Sequence, residues 1–429
     1  MKFKLTKSEK NWILYDVGNS AFVLLISTIM PIYFNYLAGN AGLSSVEYLA
    51  YWGYAASAAT LIMLLLGPVF GTLADTKGYK KPIFTTFIVV GAIGCISLGL
   101  AKQWVLFLVI FVIAKVGFSG SLIFYDSMLS DVTTEERMDD VSSQGFAWGY
   151  IGSCIPFVIC LGLVLGAESI GLSMESAMAI AFGIIAAWWL MFSMPLIKNY
   201  QQKYYVEKRK HAVADSFKRL GETFKSIRKE KKIFLFLLAF FFYIDGVYTI
   251  IDMATAYGSA LGLDSTGLLL ALLVTQIVAF PFAILFGRLA QKYETAKLIM
   301  LCIFAYLGIA IYAVFLKTQF QFWILAIFVG MFQGGIQALS RSYFTKIIPA
   351  KQSGEYFGLM DICGKGASFM GTAIVSGVSQ LTGDINKGVG MIAVLFVIGA
   401  ICFRMAVKEG NPEEGNTPAS DVVSELTYF

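Results

Sequence analysis

Charged side chains are scarce in this sequence of 429 residues. Only 14% of the residues are Asp, Glu, Lys or Arg, while 57% are hydrophobic and the mean hydropathy is +0.71. This composition excludes an ordinary soluble domain, in which about a quarter of the residues are charged. The sequence therefore predicts an all-α protein that crosses a membrane many times.

Side chains that bind metals or form disulfide bonds are also scarce. His211 is the single histidine, and the six cysteines have neither paired spacing nor neighbouring histidines. These absences argue against a zinc site and against a disulfide framework. No serine or metal constellation indicates an enzyme. We expect no cofactor, no metal ion and no catalytic residue.

Long apolar runs, in contrast, recur along the whole chain. A helix that crosses the hydrocarbon core needs about 20 mostly apolar residues. Counting such windows predicts twelve transmembrane helices, with the limits 11–37, 50–73, 82–101, 104–130, 143–166, 174–197, 233–260, 265–290, 296–316, 320–347, 354–380 and 386–407.

The lysines and arginines predict which loops face the cytoplasm. If both termini are cytoplasmic, 28 of the 33 basic residues lie on the inner side. The outer loops hold Lys102, Lys317 and Lys387, and two more lysines, Lys115 and Lys365, lie inside spans. An excess of basic residues in short cytoplasmic loops sets membrane orientation, so we predict that the N and C termini are both inside.

The same windows divide the chain into four parts. We expect a first bundle of six helices over 1–197, a cytoplasmic linker over 198–232, a second bundle over 233–408 and a disordered tail over 409–429. Apolar residues recur at helical spacing within 211–229, among lysines and arginines. This pattern predicts a basic amphipathic helix on the anionic inner leaflet, with lipid rather than nucleic acid as its partner.

The two halves resemble each other. GTLADTKGYKK (71–81) follows the second span and GRLAQKYETAK (287–297) follows the eighth. GSLIFYDSMLSD (120–131) and GGIQALSRSYFT (334–345) likewise occupy similar places in their halves. Two pseudo-symmetric bundles joined by a cytoplasmic linker are the plan of a two-lobed rocking transporter.

These motifs resemble the major facilitator superfamily, and more narrowly its branch of autophagy-related vacuolar amino-acid effluxers and their bacterial relatives. The resemblance implies twelve helices around a central cavity and export of amino acids. The superfamily usually has basic residues where Thr76 and Tyr79 stand, so Asp75 and Lys81 are the residues it implies for the cytoplasmic gate. The stretches that carry the resemblance are YDVGNSAF (15–22), GTLADTKGYKK (71–81), VSSQGFAWGYIG (141–152), the WW of 188–189, FYIDGVYTI (242–250) and GGIQALSRSYF (334–344).

Two carboxylates stand out in the seventh span, because a charge in hydrocarbon costs several kcal/mol. Asp245 and Asp252 are two helical turns apart, and Tyr248 lies between them on the same stripe. One interpretation is that each aspartate bonds to a neighbouring helix as structural glue. The other follows from the resemblance, which places this span against the central cavity and so makes them substrate or proton-coupling residues.

Lys115, deep in the fourth span, is the natural counter-charge. It is predicted either to hold an anionic group of the substrate or to neutralise an aspartate. Because no histidine lies within a span, a proton carrier there has to be a carboxylate. We expect an Asp245–Lys115 contact that breaks and forms as a proton is exchanged. Gln333 and Gln337, one turn apart on the tenth span, add uncharged donors and acceptors or bond between helices.

Two further pairs of charges fall near or within spans. Asp361 and Lys365 are spaced i, i+4, so they neutralise each other along one helix face, or else serve the cavity and proton coupling. Asp16, near the inner end of the first span, is either a gate residue or a partner of the helix dipole. As a gate residue it is predicted to pair across the two lobes with Arg341, at the inner end of the tenth span.

Together these features predict a secondary active transporter of a bacterial plasma membrane. We expect a monomer that moves a small organic molecule by alternating access, with amino-acid export implied by the resemblance. A proton rather than Na⁺ is the expected coupling ion. The alternatives are a transporter or flippase of a lipid-like amphiphile such as a lysolipid, and a receptor or enzyme that does not transport.

Overall fold

The computed structural model describes residues 4–207, 221–223, 227 and 229–410. Within these residues the chain is helical apart from short connections and one isolated β-bridge between Thr76 and Val206. Most of the amphipathic helix predicted at 211–229, and all but the first two residues of the tail predicted at 409–429, lie outside the described residues.

Twelve long helices cover the described part of the chain, in the order predicted. Helix α1 contains a π-helical segment at Leu25–Ile29. The helices are α1 Lys7–Asn40, α2 Ser45–Ala74, α3 Lys80–Leu98, α4 Trp104–Ser127, α5 Met138–Leu165, α6 Met174–Asn199, α7 Lys231–Ala260, α8 Ser265–Leu289, α9 Thr295–Val314, α10 Gln319–Ile347, α11 Ser353–Thr382 and α12 Ile385–Gly410.

Eleven helices among the described residues are long and apolar enough to cross a membrane. The twelfth, α11, has 30 residues, which exceeds the length that a span requires. Its sequence is rich in glycine and carries Asp361 and Lys365, which lower its hydropathy. The predicted all-α polytopic fold is confirmed.

Polar residues begin several of these helices at the membrane surface. Thr6 and Glu9 form a reciprocal capping box at the start of α1, and Ser44 and Glu47 form another at the start of α2. Each box supplies acceptors for backbone N–H groups that have no partner within the helix. A loss of such a cap costs about 1 kcal/mol.

The break in α1 has a local cause. Pro31 lies two residues after the end of the π-helical segment Leu25–Ile29 and occupies the first turn of the helix that continues to Asn40. Proline has no N–H and its ring clashes with the carbonyl four residues earlier, so the regular hydrogen-bond ladder cannot pass through it. The wider π turn accommodates the interruption within one continuous span.

The side chains pack into two hydrophobic cores. One core is built from buried residues of α1–α6, including Trp12 and Trp189, and the other mainly from α7–α12, including Phe236 and Phe396. Within each half, the first helix packs closely on the helix near its end: α1 on α5 and α6, and α7 on α12. The molecule therefore consists of two helical lobes.

Equivalent hydrogen bonds show how the lobes correspond. In each lobe a tyrosine on the first helix bonds to a serine on the fourth, and a second tyrosine bonds to a carbonyl at the outer end of the third. This correspondence aligns Ser121 with Ser340, which shifts the motif comparison of 120–131 with 334–345 by more than one helical turn. The bonds are Tyr15 to Ser121 (2.6 Å), Tyr243 with Ser340 (2.7 Å), Tyr33 to Ala101 (3.3 Å) and Tyr257 to Ala313 (2.7 Å).

Candidate transport site and inner gate

Arg341 joins the two lobes at the inner side of the molecule. It lies on α10 of the second lobe and is 4% exposed, yet its partners all belong to the first lobe. Its guanidinium nitrogens lie 2.9 Å from Asp126 Oδ1 and 3.5 Å from Asp16 Oδ2. It also donates to the hydroxyl and the backbone carbonyl of Ser142, each at 2.9 Å. The Asp16–Arg341 contact expected from the sequence is thus present, and Asp126 and Ser142 were missed.

Aromatic rings enclose the same guanidinium. Its carbon lies 4.6 Å from the centre of the Trp12 ring, 5.3 Å from that of Tyr125 and 4.3 Å from that of Phe146. Tyr125 donates a hydrogen bond of 2.6 Å to Asp16 Oδ2. The rings exclude water and offer cation–π contacts, which strengthen charged hydrogen bonds inside.

Asp139 forms a second contact between the lobes. It lies at the start of α5 and accepts hydrogen bonds from Ser342 (2.5 Å), Lys346 (2.5 Å) and Thr295 (2.8 Å), all of which belong to the second lobe. Three donors on one carboxylate satisfy it without water. Together with Arg341, it ties α10 to α5 on the inner side.

Asp75 holds the beginning of α11. Its two oxygens accept the backbone N–H groups of Gly354 at 2.8 Å and of Glu355 at 2.9 Å. These are N–H groups in the first turn of the helix, where a negative charge is stabilised by the helix dipole. The close approach requires two glycines, since a Cβ added to Gly71 would lie 2.3 Å from the carbonyl oxygen of Gly354.

Lys80, and not Lys81, is the lysine of this junction. Lys80 is fully buried, its Nζ lies 3.8 Å from Asp75 and 3.6 Å from Asp131, and it donates to Ser353 Oγ of the second lobe at 2.9 Å. Lys81 instead donates to the backbone carbonyl of Lys198 within the first lobe. The sequence prediction of Lys81 was wrong because neighbouring residues on a helix point about 100° apart, and the rotation of α3 selects Lys80.

The beginning of the linker also contacts this junction. Asp131 accepts the backbone N–H groups of Lys203 and Tyr204 at 3.0 Å each, and the Tyr200 hydroxyl at 2.5 Å. Burial and the nearby charge of Asp131 raise the pKa of Tyr200 well above its usual value, so the hydroxyl remains a donor. Val206 N–H donates to the carbonyl of Asp75 at 2.8 Å. Sequence patterns do not reveal these bonds, because most of them involve the backbone.

Charges from both lobes gather midway along the helices, beyond Arg341. Lys115 of α4 is acted on by the charges of Asp252 on α7 and Lys365 on α11. Asp361 and Lys365 form an ion pair along α11, as their spacing predicted. The charges that act on the Tyr248 hydroxyl include those of Asp126, Asp361 and Asp252. We call Lys115, Tyr248, Asp252, Asp361 and Lys365 the central cluster.

Asp245 does not belong to this cluster. Its side chain is fully buried, and Oδ1 accepts the backbone N–H of Gly371 on α11 at 3.0 Å and the Thr249 hydroxyl at 3.3 Å. The expected Asp245–Lys115 contact is therefore wrong for this conformation, and Asp252 is the carboxylate near Lys115. The two aspartates share a helical stripe, yet Asp245 is fully buried and Asp252 is exposed.

Gln333 and Gln337 face different surroundings. Gln333 is 6% exposed, and its Oε1 has no hydrogen-bond partner among the described residues. The Tyr150 hydroxyl of the first lobe is also buried without a hydrogen-bond partner among the described residues. Gln337, one turn further in, is partly exposed. A buried amide oxygen without a donor is rare in folded proteins and is an expected contact point for a polar group of a ligand or for water.

A small apolar cavity adjoins Gln333 and the helix that carries Asp252. It lies between α7, α8 and α10, and its volume is about 40 Å³. Since a water molecule needs about 10–15 Å³ by this measure, the cavity has room for three or four non-hydrogen atoms. Its walls are mostly aliphatic, with polar atoms at one end, and include Ile250, Ala254, Leu272, Thr275, Val329 and Gln333.

Comparison with known proteins places these features in a family. The family model for Atg22-like vacuole effluxers matches residues 6–415. The chain is 44% identical to the uncharacterised MFS-type transporter YxiO of Bacillus subtilis (strain 168), over 99% of this chain and 100% of that protein. It is 23% identical to autophagy-related protein 22 of Coccidioides immitis (strain RS), over 80% of this chain and 70% of that protein.

Solved structures show the same fold at low sequence identity. The MFS transporter FucP in its outward conformation matches with a TM-score of 0.69 and 16% identity, over 93% of this chain and 97% of that chain. A bacterial homologue of the iron transporter ferroportin, in an outward-facing state, matches with a TM-score of 0.67 and 14% identity, over 93% and 99% of the two chains.

Proposed function

Because the chain belongs to the Atg22-like family of the major facilitator superfamily, and is therefore a multi-pass secondary transporter of a bacterial plasma membrane, we propose that it exports amino acids. The proposed transporting unit is the monomer, since the two lobes of one chain enclose the central cluster between them.

The balance of charge in the central cluster is the observation that carries this proposal. Lys115 and Lys365 contribute two positive charges, and Asp252 and Asp361 contribute two negative ones. A site of this kind offers a carboxylate partner and an ammonium partner at the same time, which suits a zwitterion. A purely anionic or cationic substrate would leave charges of one sign unpaired at a cost of several kcal/mol.

The apolar cavity supports an amino acid in particular. Its volume of about 40 Å³ suits a small aliphatic side chain, and it lies on the same helix as Asp252. The acyl chain of a lysolipid is too large for this cavity. The volume of the cavity therefore favours an amino acid over the lipid-like substrate that the sequence left open as an alternative.

The contacts around Arg341 support a conformation that is closed on the inner side. The ion pairs that Arg341 and Asp139 make between the lobes, and the hydrogen bonds that Asp75 accepts from the second lobe, lie at the inner ends of the helices. We propose that this is the outward-facing state and that Asp16, Asp126 and Arg341 act as the gate. Export then requires these contacts to break so that the substrate enters from the cytoplasm.

Coupling to protons rather than Na⁺ completes the proposal. Asp245, Asp252 and Asp361 are the candidate proton carriers among the spans. Each of these carboxylates lies within a span, where no histidine of the sequence is available to carry a proton. A proton needs only one carboxylate.

Counterflow of radiolabelled amino acids in proteoliposomes tests the proposed substrate. Liposomes preloaded with an unlabelled amino acid should accumulate the labelled one without any ion gradient. Lys115→Met should abolish this exchange, whereas the matched variant Lys387→Met, which removes an exposed lysine at the outer end of α12, should retain it. Exchange of lysolipids but of no amino acid would contradict the proposal.

A further inference from the structure

Asp245 is a buried carboxylate that the central cluster leaves unexplained. It is 0% exposed and lies between α7 and α11. One oxygen, Oδ1, accepts hydrogen bonds from Gly371 N–H and from Thr249. The other oxygen, Oδ2, is buried and has no hydrogen-bond partner among the residues that the structure describes. Such an oxygen costs free energy unless it has a function.

The bond from Gly371 is unusual because Gly371 lies inside α11. A backbone N–H in a helix interior normally donates to the carbonyl four residues earlier. A side chain that inserts into this ladder is an established cause of a bend. Only glycine permits the approach here, since an added Cβ would lie 2.3 Å from Asp245 Oδ1 and 2.2 Å from Thr249 Oγ1.

Helix α11 connects this point to the rest of the transport machinery. Its first turn is held by Asp75 and by Lys80, which is bonded to Ser353. Its middle carries the Asp361–Lys365 pair of the central cluster. Gly371 follows less than two turns later. Gly371 therefore links Asp245 to the helix that carries both part of the central cluster and a contact of the inner gate.

We propose that Asp245 is a proton-binding site whose charge decides whether the Gly371 N–H bonds to Asp245 or to its own helix; this inference rests on the proposed function as a proton-coupled transporter. A proton adds to Oδ2, the carboxylate becomes a neutral carboxylic acid, and no other covalent bond changes. The bond from Gly371 then loses its ionic character. Charge-assisted hydrogen bonds are roughly twice as strong as neutral ones, so protonation releases Gly371 to its own helix.

Few charged groups compete for control of Asp245. The groups that act on it are the Gly371 amide and the Thr249 hydroxyl, and no Coulombic partner among the described residues contributes. The protonation state of Asp245 therefore depends on the availability of protons and not on the charge of a neighbouring side chain. The ionisable side chains on the helices packed against α7 include Asp361, Cys363 and Lys365 on α11, Cys402 on α12, Tyr343 on α10 and Tyr306 on α9.

Infrared difference spectroscopy of the purified protein tests the site without any transport. A buried protonated carboxyl gives a carbonyl stretching band that appears as the pH falls. We expect this band in the wild type and in Asp361→Asn, and its loss in Asp245→Asn, which keeps the size of the side chain and an acceptor for Gly371. An unchanged band in Asp245→Asn would overturn the proposal.

Hydrogen exchange measures the hydrogen bonding of Gly371 in the wild-type protein, so it does not depend on whether a variant folds. At the pH where the carboxyl band is present, the amides around Gly371 should exchange at a rate about fivefold different from the rate in the unprotonated form, after correction for the intrinsic effect of pH. In Asp245→Asn the corrected rate should not depend on pH. A corrected wild-type rate that is constant with pH would also overturn the proposal.

Transport then separates this inference from the proposed function. Asp245→Asn should retain amino-acid counterflow and lose accumulation driven by a pH gradient. If the wild type fails in counterflow while the infrared band and the exchange rates behave as expected, the assigned substrate is wrong and the proton site stands. If counterflow succeeds and Asp245→Asn still responds to the pH gradient, the proton site is wrong and the substrate stands.

Discussion

Replacement of Arg341 by glutamine should open the inner side of the protein. In the structure the guanidinium makes an ion pair with Asp126 at 2.9 Å, lies 3.5 Å from Asp16 and donates twice to Ser142. All these partners belong to the opposite lobe, so the contacts exist only while the lobes meet. Glutamine keeps a polar group but removes the positive charge.

The expected magnitude follows from the burial of the pair. Removing one partner of a buried ion pair costs about 3–5 kcal/mol, because the remaining carboxylates lose their counter-charge. The open state does not pay this cost, since the separated lobes allow water to reach Asp16 and Asp126. Every 1.4 kcal/mol is a factor of ten, so the ratio of inward-open to inward-closed molecules should rise by about a hundredfold to a few thousandfold.

Spin-label distances across the inner side measure this ratio. Labels at positions 198 and 292, which are exposed on opposite lobes, should report a longer distance in Arg341→Gln than in the cysteine-free parent. Arg404→Gln is the matched control, because Arg404 is exposed on α12. An Arg341→Gln distribution that equals that of the parent would refute the gate assigned to Arg341.

Three further outcomes follow from the same contacts. Lys80→Met should lower the free energy of unfolding by about 3–5 kcal/mol, because it leaves two buried carboxylates without their counter-charge. Lys81→Met should change the free energy of unfolding by no more than about 0.5 kcal/mol. Equal effects of the two variants in denaturant titrations would contradict the assignment of Lys80. Gly71→Ala should prevent the inner side from closing, since its Cβ would meet the Gly354 carbonyl at 2.3 Å, and unchanged inner distances would argue against it. Asp252→Asn should weaken amino-acid binding by about 2 kcal/mol or more, and an unaltered thermal shift with ligand would exclude Asp252 from the site.

Much of the architecture follows from the composition of the chain. Twelve apolar runs of sufficient length predict twelve spans, because a helix is the one local structure that satisfies every backbone group in lipid. The pairing of Asp16 with Arg341 could also be predicted from the sequence, because charged side chains at the inner ends of helices are stabilised by a partner of opposite charge. These inferences depend on hydropathy and charge, which sequence displays directly.

The rotation of each helix about its axis and the identity of its neighbours could not be predicted from the hydropathy and charge of the sequence. Lys80 and Lys81 are adjacent, and only the packing of α3 decides which of them is buried. Asp245 and Asp252 share one stripe of α7, yet Asp245 is buried against Gly371 of α11 and Asp252 is exposed. Asp126 lies within the motif at 120–131, and its position in that motif was the sequence feature that could have indicated its role. Tertiary packing, rather than local periodicity, determined each of these outcomes.

The most direct test of alternating access is a pair of distances recorded on the same protein in liposomes. Labels at positions 102 and 317 report the outer side, and labels at 198 and 292 report the inner side, since each position is exposed and each pair spans the two lobes. Alternating access predicts that a transported amino acid shortens the outer distance and lengthens the inner one in the same fraction of molecules. Distances that both stay constant, or that lengthen together, would contradict it.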